Sequence, residues 1–142
     1  MTPTAFQRLD KHIARDLSPD DWYDLELEGA QYLAGEFQYD DWRSLAEHRR
    51  HRSADWVYRC VCSLRGPNVD QAEARSILFE ILFHPDHKVA IAVVYTLRRT
   101  DWKSIPFPSD PRIPQRLDEL AAQGNPTEQE LIAKFKRDAL PN

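Results

Sequence analysis

Residues 74–97 read ARSILFEILFHPDHKVAIAVVYTL. Ala74, Ile77, Leu78, Ile81 and Leu82 recur at i, i+3, i+4, i+7 and i+8, the spacing that lines one face of an α-helix. Phe79 and Phe83 widen that face. From Val89 to Val94 the chain is apolar almost all round, as in a helix buried on most sides. Between the two, Pro85 cannot continue the first helix and biases His84 out of helical backbone. Asp86 stands where a carboxylate can accept a first-turn N–H and cap the second helix. The stretch predicts an antiparallel helical pair.

The same punctuation extends outward. Thr4 is placed to cap a helix over Ala5–Leu17, with Phe6, Leu9, Ile13 and Leu17 as its apolar line. Ser18-Pro19 supplies the next cap and first helical position, opening a helix that carries Trp22, Leu25, Leu33 and Phe37. Asp40 opens a short helix that runs into the basic stretch His48-Arg49-Arg50-His51-Arg52. Ser53 caps Ala54–Arg65, and Gly66-Pro67 stops it. After a connection rich in proline, Ser109 or Asp110 starts a helix ending at Gly124. Thr127 and Glu130 have capping-box spacing for a last helix through Ala139, and the tail Leu140-Pro141-Asn142 is expected to fray.

The chain has 142 residues, enough for one domain with a substantial core. At 30% charged and 42% hydrophobic it is composed like a globular protein, not a disordered one. Glycine is scarce and strand-like alternation is absent, so the all-α class leads. Trp22, Trp42, Trp56 and Trp102 each follow an aspartate, a pattern that suits helix starts. The net charge of −4 counts against a nucleic-acid binder and suits a basic partner. With no N-terminal apolar run, neither a signal peptide nor a membrane span is expected. Cys60 and Cys62 lie two apart on a helix and diverge, so they should not pair; a reduced cytoplasm is their natural setting.

When the sequence is slid along itself until His51 falls on His84, an echo appears. Leu45 meets Leu78, Ser53 meets Asp86, Trp56 meets Val89, Cys60 meets Val93, Val61 meets Val94, Leu64 meets Leu97 and Arg65 meets Arg98. A repeat of this period is the signature of stacked helical hairpins; evenly spaced helices in an ordinary bundle would also produce it. The segment Ser76–Leu97 resembles a HEAT repeat. It has leucines on the first helix, then Asp86-x-x-Val89, a small Ala92 in the middle and a closing Leu97, with Ala90 where the family commonly places Arg. Trp42–Leu64 resembles it more loosely. The resemblance implies a right-handed stack of antiparallel hairpins, a short α-solenoid of about seven or eight helices. The resemblance itself covers under half of the chain; residues 1–142 are read as one domain, with N-terminal helices over 1–37, two repeat-like hairpins over 38–100 and a helical pair over 109–140. The resemblance also implies binding through a curved surface. In size, helical grammar and acidity the chain is similar to bacterial immunity proteins that neutralise a cognate toxin.

In such a stack the second helix of each hairpin lines the concave face. If Trp56, Cys60 and Leu64 point inward, Asp55, Tyr58, Arg59 and Cys62 point out. The next hairpin then presents Lys88, Ile91, Tyr95 and Arg99. Tyr58, Ile91 and Tyr95 form an apolar stripe of the kind that anchors interfaces, unless the C-terminal helices cover it as core. A second candidate is the acidic opening: Asp20, Asp21, Asp24, Glu26 and Glu28 surround Tyr23 and could steer a basic partner. The expected partner-binding set is Asp20, Asp21, Tyr23, Asp24, Asp55, Tyr58, Arg59, Lys88, Ile91 and Tyr95. The basic run 48–52 offers phosphate contacts, or a neutralising contact with Asp40, Asp41 or the acidic opening. An alternative nucleic-acid reading uses Arg49, Arg50, Arg52, Lys88, Arg98 and Arg99. A further alternative, a metal-dependent enzyme, rests on His48-x-x-His51 and His84-x-x-His87 with Cys60 and Cys62 nearby. Phosphate-loop, nucleophile-elbow and metalloprotease motifs are missing. The sequence therefore assigns no catalytic residue, cofactor or metal, and its leading expectation is a non-enzymatic protein that occludes a toxin.

Overall fold

Helices form wherever the sequence supplies a cap, an apolar stripe and no proline beyond the first turn. The computed structural model describes residues 2–140, apart from the side chain of Leu25. Among these residues all regular structure is helical, in agreement with the all-α expectation. The elements are α1 (Ala5–Ile13), α2 (Pro19–Asp21), α3 (Leu27–Gly35), α4 (Tyr39–His48), α5 (Ala54–Ser63), α6 (Ala72–Ile81), α7 (His87–Leu97), α8 (Arg112–Gln123) and α9 (Pro126–Ala139). A π turn over Trp22–Glu26 joins α2 to α3 without a break, so the nine α segments among the described residues make eight rods. Short 3₁₀ turns, Arg49–His51 and Gly66–Asp70, follow α4 and α5.

Four of the expected caps are in place. Thr4 Oγ1 accepts the Gln7 N–H at 3.0 Å, Ser18 Oγ accepts that of Asp21 at 3.1 Å, Ser53 Oγ accepts that of Trp56 at 3.2 Å and Asp86 Oδ1 accepts that of Val89 at 3.1 Å. Gly66 takes φ = 78°, a left-handed conformation only glycine holds without strain. His84 Nδ1 accepts the Asp86 N–H at 3.0 Å and so fixes the turn between α6 and α7.

Several boundaries depart from expectation, each for a local reason. α1 ends at Ile13, not Leu17. Its last carbonyls are taken by a distant donor, because the Arg59 guanidinium bonds the oxygens of Ile13, Arg15 and Leu17 at 3.1, 2.8 and 2.7 Å. α4 opens at Gln38, whose N–H donates to Asp41 at 2.8 Å. Asp41 also accepts the Phe6 N–H at 3.0 Å, which pins the start of α1 to the start of α4. Trp102 starts no helix: Pro106 and Pro108 follow, and its indole N–H instead donates to the Leu97 carbonyl at 3.1 Å. The last capping box is Asn125 with Glu128, not Thr127 with Glu130, since Pro126 takes the first helical position. Of the expected frayed tail, Pro141 and Asn142 lie outside the described residues.

α3 rests on α1 and α5, α5 on α7, and α7 on α9; α1 also meets α4, and α4 meets α6. One apolar cluster runs between them from Ala5 to Ala139. Leu45, Leu64, Leu78, Leu97 and Leu117 sit at its centre, fully or almost fully buried. Each such leucine contributes about 1.5–3 kcal/mol through removal from water. Every apolar member of the internal echo, from Leu45 and Leu78 to Leu64 and Leu97, is buried. No helix among the described residues is long and apolar enough to cross a membrane.

Candidate functional site

Along α7, Lys88, Ile91 and Tyr95 recur at spacings of three and four and therefore share one face. That face looks toward α5, which contributes Tyr58, and toward the π turn, which contributes Tyr23. A π turn widens the helix for one turn and is frequent at functional positions. Here it sets the Tyr23 hydroxyl in a short hydrogen bond with the Tyr58 hydroxyl. Arg65, just past the end of α5, donates its Nε–H to Thr96 Oγ1 at 3.2 Å. These side chains, with His87, Ala92 and Glu128, line a hollow of about 420 Å³.

Cations lie on the tyrosine rings. Lys88 Nζ is 4.3 Å from the Tyr58 ring centre, and the guanidinium carbons of Arg65 and Arg98 are 4.7 and 4.0 Å from that of Tyr95. Arg65 and Arg98 are the pair matched by the internal echo, so the two repeat-related arginines converge on one ring. Among the described residues, none of Arg65, Lys88, Arg98 and Arg99 has a carboxylate oxygen within 4.0 Å. Glu128, the one acid lining the hollow, is already engaged. It accepts from the Asn125 N–H at 3.0 Å and contacts His87 Nε2 at 3.1 Å. The His87 and Asn125 hydrogen bonds hold its carboxyl below the ordinary value.

Beneath the phenols lies Cys62. It was expected on the outer side of α5 but is fully buried, because the π turn and α3 cover that flank; its thiol meets the Tyr23 and Tyr58 hydroxyls. Burial raises the Cys62 thiol above its usual range and pushes Cys60 up to about 12. Both therefore stay protonated and unreactive. Burial, and then the hydrogen bond to Tyr58, also raise Tyr23, which keeps its hydroxyl a proton donor.

The other candidates fall elsewhere. Arg59 is not a surface anchor: it closes the end of α1 and lies over Trp22, 5.2 Å from the ring centre. Asp20, Asp21 and Asp24 are exposed beside Tyr23, and Asp55 is exposed in the first turn of α5. Glu26 leaves the acidic set, since it pairs with His12 at 3.0 Å and Arg15 at 2.7 Å. The basic run does not meet Asp40, Asp41 or the acidic opening. Arg49 pairs with Glu80 at 2.6 Å and Arg52 with Asp10 at 2.7 Å. His48 lies edge-on to Phe6, and among the described residues no three His, Cys, Asp or Glu side chains converge to hold a metal. Arg65 escaped the sequence reading as a site residue, because it lies past the end of α5 in extended backbone, where helical spacing from Tyr58 no longer places it.

The hollow thus presents phenol hydroxyls, ring faces and unpaired cations from three elements, with no activated nucleophile among them. No protein-family model matches the chain, and no curated protein or solved structure matches it.

Proposed function

We propose that the chain is a protein-binding helical domain whose partner docks on the face built from the π turn, α5 and α7. The observation that carries this reading is the gathering of three tyrosines, Tyr23, Tyr58 and Tyr95, around one groove. Tyr23 and Tyr95 remain 42% and 41% exposed. Tyrosine and arginine in a shallow hollow are the residue types that supply most of the energy at interfaces. In its sharper form the reading makes the chain a HEAT-like, right-handed stack of hairpins that neutralises a toxin by covering it. The run of contacts from α1 through α3, α5 and α7 to α9 and the matching caps Ser53 and Asp86 support the stack. A docking face without a reactive group suits occlusion in place of chemistry. Both cysteines are free, which suits a reducing setting such as the cytoplasm.

The test is co-purification with the product of the adjacent open reading frame, together with rescue of cells expressing that product. The wild-type chain should form the complex and rescue growth. The Y58A/Y95A double variant should bind about 30-fold or more weakly while keeping its helical circular dichroism. Failure of the wild-type chain both to bind and to rescue would remove the toxin-neutralising reading.

A second reading, contact with nucleic acid, is favoured by the unpaired Lys88, Arg98 and Arg99 but loses Arg49 and Arg52 to Glu80 and Asp10. It predicts retention of an oligonucleotide at low salt and steep release as salt rises.

A further inference from the structure

We infer that the hollow between Tyr23, Tyr58, Arg65 and Lys88 is a carboxylate-binding site, and that the docking segment of the partner is acidic. The inference rests on the protein-docking reading above and names the chemistry of what docks. Four features carry it.

The first is the charge balance within the hollow. Arg65 and Lys88 line it and, among the described residues, neither has a carboxylate within salt-bridge distance. The hollow's own acid, Glu128, is held by His87 and by the N-terminal cap of α9. The positive charge is therefore left for an incoming group.

The second is the pair of phenols. One of the two bonded hydroxyls of Tyr23 and Tyr58 donates to the other, so the second proton is not used in that bond and can turn from the Cys62 sulfur toward a stronger acceptor in the hollow. A carboxylate in the hollow can take that proton donor and the two cations together, and charge-assisted bonds of this kind are the stronger class.

The third is the surplus at the helix ends. The C-termini of α5 and α7 each favour about one cation through their dipoles, worth roughly 0.3–1 kcal/mol. Arg65 and Arg98 follow those ends and both lie against the Tyr95 ring. Two guanidiniums on one ring repel each other, and an anion seated beside Arg65 in the hollow relieves that repulsion.

The fourth is the contrast with the rest of the chain. The net charge is −4, and Asp20, Asp21 and Asp24 stand exposed beside Tyr23, so an acidic chain is disfavoured over most of the surface and has to seat its carboxylate on Arg65 and Lys88 to bind. That arrangement selects an acidic segment of matching shape over acidic polymers in general.

The experiment uses the full chain and a short fluorescein-labelled polyglutamate peptide, read by fluorescence anisotropy at low ionic strength. Polyglutamine of the same length and a thymidine oligonucleotide serve as comparison probes. Lys88 is exposed, so Lys88→Glu should fold normally; Lys11→Glu, on the exposed side of α1, makes the same charge change elsewhere. Polyglutamate should bind better than polyglutamine. K88E should weaken it about tenfold or more, K11E by less than about twofold, and added salt should release it. The inference is overturned if polyglutamate and polyglutamine bind alike, if K88E and K11E lose equally, or if the oligonucleotide binds and polyglutamate does not. The adjacent gene product is a separate arm. If it binds wild type and K88E equally, docking stands and the carboxylate site falls. If it binds neither while polyglutamate shows the K88E penalty, the carboxylate site stands and the choice of partner falls.

Discussion

Arg52 holds Asp10 by two parallel hydrogen bonds, Nη1 to Oδ1 at 2.8 Å and Nη2 to Oδ2 at 2.7 Å. The same carboxylate accepts the Trp56 indole N–H at 3.0 Å. One side chain of α1 thus ties down both the turn before α5 and the first turn of α5, and the most basic stretch of the chain becomes part of the scaffold. Asp10→Ala would leave the indole and the guanidinium without their acceptor in a half-buried setting. We expect a loss of about 2 kcal/mol, in the range for hydrogen bonds to a charged group. Trp56→Phe should cost about 1 kcal/mol, and the two losses should not add, because they share the Asp10 oxygen. Urea denaturation of the two single variants and the double variant measures this. A loss below about 0.5 kcal/mol for Asp10→Ala would mean that solvent screens the contact as it does an ordinary surface pair.

Trp102 forms edge-to-face contacts with Phe79, Phe107 and Phe135 at centroid separations of 5.9, 5.2 and 6.3 Å. It fastens the proline-rich connection to α6 and α9, in addition to its bond to the Leu97 carbonyl. Trp102→Ala should lower stability by about 3 kcal/mol, while Trp102→Phe, which loses only the N–H and part of the ring, should lose about 1 kcal/mol. Thermal unfolding of both variants gives the order. Equal losses would show that the hydrogen bond, not the aromatic cluster, holds the connection.

What the sequence made legible were features set by near neighbours. Ser18, Ser53 and Asp86 cap helices because a cap needs only a short polar side chain and the next three residues. The apolar positions of α6 and α7 repeat on a helical period that no tertiary contact has to supply. The stripe of Tyr58, Lys88, Ile91 and Tyr95 was readable for the same reason. What escaped depends on distant partners. Arg59 and Cys62 fall on the same outward half of α5 as Tyr58 in a helical reading, but the chain before α3 folds over them. Nothing within a few residues of Arg59 shows that the carbonyls at the end of α1 will need it. The five-residue π turn, which brings Tyr23 to Tyr58, has no local code comparable to a cap.

Cys60 and Cys62 are both fully buried, and burial raises both thiols. A thiol reacts as its thiolate, so native protein should resist iodoacetamide at neutral pH. Unfolded in guanidinium, the same protein should take up two alkyl groups by mass spectrometry, one for each of its two cysteines. Tyr23→Ala removes one of the two phenols that cover Cys62 and should expose that thiol while Cys60 stays protected. Equal reactivity of both cysteines in this variant would show that the phenols are not what shields Cys62.

Glu128 gives the acid limb of stability a defined source. Its carboxylate accepts from His87 on α7 and from the Asn125 N–H at the head of α9, and these bonds lower its ionisation below the ordinary 4.5. For a group whose folded value is depressed, the folded state binds the proton less readily than the unfolded one. The contribution is therefore complete above the unfolded value and is lost as pH falls through the folded one. Glu128→Gln should destabilise the protein above about pH 5, and the gap to wild type should narrow as pH drops further. The His87 bond closes part of the groove wall, so the variant should also loosen the α7–α9 contact, read as faster amide exchange at the start of α9. A gap that stays constant down to the most acid pH at which both proteins fold would show that the carboxylate acts through shape and not through charge.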